Sequence, residues 1–131
     1  MGYHFLSFRK KAFSISEKEY QDYYQQTGEC NLLKGSDLNQ QCFDKINQHS
    51  VGEALLDVGC DRGELARSLA SRFQVTATDL VLNQEVVDRG GAAITWQQGN
   101  IEALPFKDQQ FDTVFCTHVL EHVIDVQATL V

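Results

Sequence analysis

The sequence predicts an α/β fold built on a parallel β-sheet, and three observations carry that prediction. Short apolar runs alternate with helical stretches from residue 53 onward, the pattern of successive β-α-β units. One run, Ala54-Leu55-Leu56-Asp57-Val58, is almost continuously apolar, as expected of a strand covered on both faces. A turn with two glycines, Gly59-Cys60-Asp61-Arg62-Gly63, then leads directly into a helical stretch.

Residues 1–15 carry Tyr3, Phe5, Phe8 and Phe13 and read as an arm or short strand that packs its aromatics. Ser16-Glu17-Lys18-Glu19 has the form of a capping box, with Ser16 as N-cap and Glu19 three residues on. A helix of roughly ten residues should follow, placing Tyr20, Tyr23 and Tyr24 on one face until Thr27-Gly28 ends it. These tyrosines are expected to dock the helix, and they are also candidates for a lid. Gly35-Ser36 is a break, after which Ser36 or Asp37 is expected to cap a second helix. Its apolar stripe is Leu38, Cys42, Phe43 and Ile46. His49, near its end, is expected to face solvent, where the helix terminus favours a cation.

The first strand is Ala54–Val58, and the helix after Gly63 turns Leu65, Leu69 and Phe73 to one side. Gln74–Asp79 is the second strand, ending in an acid. A short helix over Asn83–Arg89 is stopped by Gly90-Gly91. Ala93–Gln97 is the third strand and Phe111–Cys116 the fourth. A last helix is expected from His118 to the C-terminus. Ligand in such a sheet belongs at the carboxyl ends of the strands. Asp57–Gly63, Asp79, Gly99-Asn100 and Thr117-His118 all fall there.

Composition narrows the function classes. The 131 residues suit one domain, and 43% hydrophobic with 22% charged residues suits a soluble, cytoplasmic protein. No apolar run reaches the roughly 20 residues of a membrane span. Arg9-Lys10-Lys11 has no apolar segment behind it, which argues against a secretory signal. Residues 1–50 hold six basic and six acidic residues, whereas 51–131 hold five basic and twelve acidic, the whole of the net −7. An acidic half argues against a nucleic-acid backbone as partner. Cys30, Cys42, Cys60 and Cys116 form no C-x-x-C pair and read as reduced thiols. A zinc or disulfide role for Cys30 and Cys42 is the alternative.

The turn can be read three ways. A P-loop requires Lys followed by Ser or Thr after its last glycine, and none follows Gly63. A dinucleotide fingerprint requires G-x-G-x-x-G, and here Gly59 and Gly63 are four apart. What remains is a nucleoside without phosphates. Asp57 would suit an amino group or a sulfonium cation, and Asp79 could accept both ribose hydroxyls.

On these residues the sequence resembles the class I S-adenosylmethionine-dependent methyltransferases, in particular the small-molecule branch of ubiquinone and menaquinone biosynthesis. Leu55 through Gly63 is similar to the family's first motif, and Thr78-Asp79 to the acidic end of its second strand. Gln98-Gly99-Asn100-Ile101-Glu102-Ala103-Leu104-Pro105-Phe106 is similar to its adenine-side loop. Phe111-Asp112-Thr113-Val114 and Val119-Leu120-Glu121-His122-Val123 are similar to its fourth strand and the following helix. The resemblance covers about residues 53–126. It implies a Rossmann-like three-layer sandwich and S-adenosyl-L-methionine as cofactor. Gly59, Cys60, Asp61 and Gly63 would border its methionine part, with Asp57 on the amino group. Asp79 and Leu80 would hold the ribose, Asn100, Ile101 and Glu102 would border the adenine, and Thr117 and His118 would flank the methyl. Methyl transfer to a small-molecule acceptor is the implied reaction.

Two departures stand out. Asp61 occupies a position where the family usually has glycine. The family's sheet has three further strands, so residues 51–131 are expected to form the N-terminal, cofactor-binding half of the domain, ending just after the fourth strand. Residues 1–50 would be a helical arm or lid. The fourth strand would then expose an edge that a second copy or a partner chain could cover. The alternative reading is a truncated, catalytically silent cofactor-binding half-domain with a structural or regulatory role. His118, Glu121 and His122 lie at i, i+3 and i+4 of the expected helix. Plain structural or pocket-lining roles are expected, with a general base (His118 or His122) or a metal site as alternatives; no resident metal is expected. Trp96 is expected in the core rather than stacked on adenine.

Overall fold

A computed structural model describes residues 16, 18, 19, 21, 22, 25, 38–123 and 125–130. Ser16 and Glu19 form the expected capping box. The Glu19 carboxylate accepts from the Ser16 N–H and hydroxyl at 2.9 and 2.7 Å, and the Glu19 N–H donates back to Ser16 Oγ at 3.3 Å. Tyr20, Tyr23, Tyr24, Cys30 and residues 1–15 lie outside the described residues.

Helix α1 is Gln40–His49, β1 Ala54–Val58, α2 Glu64–Leu69, β2 Gln74–Asp79, α3 Gln84–Gly90, β3 Ile94–Gln98 and β4 Thr113–Cys116. A short helix α4, Val126–Thr129, closes the order. The cap of α1 is Asn39, whose side chain accepts from the Cys42 N–H at 3.0 Å. The expected caps Ser36 and Asp37 lie outside the described residues; asparagine is among the strongest N-caps, and Asn39 takes the role. Leu38 therefore sits before the helix, yet with Phe43 and Ile46 it still packs against the core. His49 ends the helix, exposed, as expected.

The sheet is parallel throughout, in the order β3-β2-β1-β4. Its strands are the expected ones, with shifted ends. The third begins at Ile94 because Gly91–Ala93 form a 3-10 turn. The fourth begins at Thr113 because Asp112 has another task. Its Oδ2 accepts the N–H groups of Glu53 and Ala54 at 2.8 and 2.9 Å, pinning the start of β1. Helix α3 starts one residue late because Asn83 is its N-cap, accepting from the Glu85 N–H at 2.8 Å. Gly90 is its last residue, and Gly91 at φ 64° is its stop.

Leu55, Val75, Ala77 and Ile94 from the sheet form one buried cluster with Leu65, Ala66, Leu69 and Phe73. Each fully buried leucine contributes about 2 kcal/mol. Period-two alternation puts Leu56 and Val58 on the opposite face of β1, where both are also buried. That two-sided burial explains the continuous apolar run. β4 is an edge of the described sheet, and Val114 on it is 57% exposed. Among the described residues no helix is long and apolar enough to cross a membrane.

The predicted helix from His118 onward is not there. Residues Leu120–His122 make one 3-10 turn, and α4 begins only at Val126. His118 takes φ 56°, which interrupts helical winding.

Candidate functional site

The carboxyl ends of the strands lie side by side. Val58 is paired with Thr78 and with Cys116, and Asp79 with Gln98. The turn after β1 therefore sits between the ends of β2 and β4. Gly59, Asp61 and Gly63 have φ of 77°, 42° and 66°, three left-handed residues in five. Asp61 tolerates this region better than most side chains.

A Gly-rich turn opening a helix is expected to aim backbone N–H groups at a ligand. Here most of them point into the protein. The N–H groups of Gly59 and Cys60 both donate to the Thr78 carbonyl, at 2.8 and 3.0 Å. The Asp61 N–H donates to Asp79 Oδ2 at 2.8 Å, and the Gly63 N–H to the Cys60 carbonyl at 2.6 Å. The turn is thus locked onto β2, and what it gathers is carboxylates rather than donors.

Asp57 is 1% exposed. The Ala66 N–H bonds to its carboxylate, but Oδ2 has no hydrogen-bond partner. Burial, with the Asp79 charge adding to it, pushes Asp57 up to about 7. Asp79 is also raised, first by burial, with the nearby Asp61 charge adding, against backbone donors that lower it. Its Oδ2 takes the Asp61 N–H and its Oδ1 the Leu80 N–H at 2.7 Å. The Val81 N–H is a third backbone donor to this carboxylate; of about four acceptor sites, roughly one is left free. The Cys60 thiol is strongly raised by burial and then by the charges of Asp79, Asp57 and Asp61. It is a small buried packing group. Cys42, Cys60 and Cys116 carry free thiols.

The other predicted site residues arrive from the neighbouring strand ends. The Gly99 N–H donates to the Asp79 carbonyl at 2.9 Å, placing the 99–103 loop beside β2. Asn100 Oδ1 accepts from the Glu102 N–H at 3.0 Å, and Asn100 bridges to Ala103. Ile101 is half-buried in this turn. Glu102 Oε1 accepts from the Asp125 N–H at 2.9 Å, tying the loop to the segment before α4. Leu80 offers its carbonyl to Gln98 Nε2 at 2.9 Å. Thr117 and His118 follow β4. Next to them the Val119 side chain covers Gly59 so closely that a Cβ there would lie 2.1 Å from Val119 Cγ2.

His118, Glu121 and His122 do meet, though not on an α-helix. Glu121 Oε1 lies 3.6 Å from His118 Nδ1 and 4.0 Å from His122 Nε2, with all three side chains at least half exposed. Among the described residues no group of His, Cys, Asp or Glu is arranged to hold a metal ion. Trp96 packs against the core and beneath Gly63, where a Cβ would lie 2.5 Å from its ring. Two residues escape sequence reasoning, Val119 beside the turn and Asp112 at the opposite, amino end of β1. Asp112 leaves no local signal, because its partners are 58 and 59 residues away. Val119 shows only helical spacing in the sequence, which hides its contact with the turn.

Known proteins place the chain in a family. A family model described as "Methyltransferase domain" matches residues 56–131. The ubiquinone biosynthesis O-methyltransferase of Rickettsia prowazekii is 33% identical over 134 residues, covering 92% of this chain and 52% of that protein. The 2-phytyl-1,4-naphtoquinone methyltransferase of a Nostoc species is 33% identical over 90 residues, covering 60% of this chain and 39% of that one. The magnesium protoporphyrin IX methyltransferase of Synechocystis PCC 6803, solved with bound SAH, superposes with a TM-score of 0.63 at 21% identity. That match covers 88% of this chain and 65% of that chain, and shows a shared fold. The chain spans about half the length of the Rickettsia relative.

Proposed function

The chain belongs to the class I S-adenosylmethionine-dependent methyltransferases, and from that premise we propose that it binds S-adenosyl-L-methionine at the β1 turn and takes part in methyl transfer to a small-molecule acceptor. One observation carries the reading. A buried carboxylate, Asp57, and a half-buried one, Asp79, stand at adjacent strand ends, and one oxygen of Asp57 has no hydrogen-bond partner. A buried unpartnered carboxylate oxygen is costly unless a donor reaches it. An ammonium group is such a donor, and the residues present fit the cofactor in that respect.

In this reading Asp57 accepts from the cofactor's amino group, directly or through water. Asp79 accepts from the ribose at the acceptor capacity that its three backbone donors leave. Asn100 and Ile101 border the adenine, while Glu102 holds their loop against Asp125. Gly59, Cys60, Asp61 and Gly63 shape the wall of the methionine part. When bound, the cofactor supplies an electrophilic methyl on a sulfonium centre, which an acceptor takes by in-line attack. Positioning can supply much of the rate of such a step. Thr117 and His118 lie on the side from which the acceptor would come. The relatives named for ubiquinone biosynthesis and for 2-phytyl-1,4-naphtoquinone support a small-molecule acceptor.

A second reading is a cofactor-binding unit without catalysis of its own. β4 is an edge, and His118, Glu121 and His122 stand exposed beyond it. Under both readings the cofactor binds. Isothermal titration should give a measurable affinity for S-adenosyl-L-methionine, and Asp79→Ala should weaken it by about tenfold or more, the loss of charge-assisted hydrogen bonding. Unchanged affinity in Asp79→Ala would show that β2 does not hold the ribose.

A further inference from the structure

Resting on the reading of the β1 turn as the cofactor site, we propose that Asp61 is a specificity-determining residue: with Asp57 and Asp79 it surrounds the turn with three carboxylates, so that the site holds the sulfonium cofactor in preference to its neutral-sulfur, demethylated product. The three acids come from different places in the chain and converge here. Asp57 lies near the end of β1, Asp79 ends β2, and Asp61 stands in the turn with its N–H on Asp79 Oδ2 at 2.8 Å. Their fields overlap at the Cys60 thiol, which all three push up in addition to burial. The unpartnered Oδ2 of the buried Asp57, the acceptor assigned to the amino group, marks this place as one where a bound ligand belongs. The one base in the turn is Arg62, whose Nε lies 3.5 Å from Asp61 Oδ2. Its side chain is only 12% exposed while that of Asp61 is 53% exposed. The guanidinium thus lies on the protein side and the carboxylate faces out.

The cofactor and its product share the amino group, the carboxylate, the ribose and the adenine. They differ by one methyl and one positive charge at sulfur. Whatever Asp61 does to the shared groups, including repulsion of the shared carboxylate, affects both ligands alike. It therefore cancels in the ratio of the two affinities. That ratio isolates the interaction of Asp61 with the sulfur charge. A unit charge at the distance of a neighbouring residue in a partly solvated cleft changes such a ratio by about three- to tenfold.

The test is isothermal titration of the full chain with S-adenosyl-L-methionine and with S-adenosylhomocysteine, for the unaltered protein, Asp61→Asn, Asp61→Gly and Asp108→Asn. Asparagine and glycine both accept the left-handed backbone that residue 61 adopts, so both variants keep the turn. Asp108 is an exposed acid on a loop outside the site. The expected result is a cofactor-to-product affinity ratio that falls about three- to tenfold in both Asp61 variants and stays unchanged in Asp108→Asn. A ratio in the Asp61 variants within about twofold of the unaltered protein, where this mechanism requires about threefold or more, overturns the proposal while leaving cofactor binding intact. An equal fall in Asp108→Asn assigns the effect to overall charge and also overturns it. Binding of neither ligand to the unaltered protein overturns the functional reading as well.

Discussion

Asp57 is the residue on which folding and function pull in opposite directions. Burial beside Asp79 raises it from its ordinary 3.8 to about 7, so the folded chain prefers the protonated form. A group raised on folding contributes stability below its unfolded value and loses it as pH climbs through its folded one. Without ligand, the protein should therefore lose stability between about pH 4 and pH 7, with a total on the order of a few kcal/mol. Asp57→Asn should flatten that loss in urea titrations at several pH values, and should weaken cofactor binding at the same time. Equal pH slopes for the two proteins would remove Asp57 as the cause. The residue is legible in the sequence as an acid near the end of an apolar run. Its unpartnered oxygen is not, because that depends on what β2 and α2 bring against it.

At the scale of elements, β1 and β2 are legible because their apolar residues run together and a turn or polar group follows each. The segment after β4 is not legible. Val119-Leu120-Glu121-His122-Val123 has helical spacing, but Val119 is drawn against Gly59, sixty residues earlier, and His118 turns left-handed just before it. A tertiary contact overrides local periodicity there. Gly59→Ala should be strongly disruptive for two reasons. Its φ of 77° strains any other side chain, and the added Cβ would overlap Val119. A loss of about 2 kcal/mol or more is expected in chemical denaturation, with changed amide signals at Val119; a neutral substitution would mean the two segments are not in contact. The other long-range clamp is Asp112, whose carboxyl the N–H groups of Ala54 and Glu53 hold below the usual range. Asp112→Ala should lower the melting temperature at neutral pH. The difference from the unaltered protein should shrink as pH falls through the folded value of Asp112, where the carboxylate is protonated in both states.

Over the whole molecule, acidity and topology act together. The charge imbalance of residues 51–131 is visible in the sequence, but only the parallel order β3-β2-β1-β4 brings Asp57, Asp61 and Asp79 to one place. The same order puts β1 in the interior and leaves β4 as an edge of the described sheet, which is where the acceptor side lies in the proposed reading. The central claim is that one cofactor bridges the ends of all four strands. An amide-resolved NMR titration of the full chain with S-adenosyl-L-methionine tests it most directly. Saturable shifts concentrated at residues 57–63, 79–80, 99–102 and 117–119 are the predicted result. No saturable shift, or shifts confined to the groove between α1 and α2 lined by Phe43, Asn47 and Ser68, would contradict it.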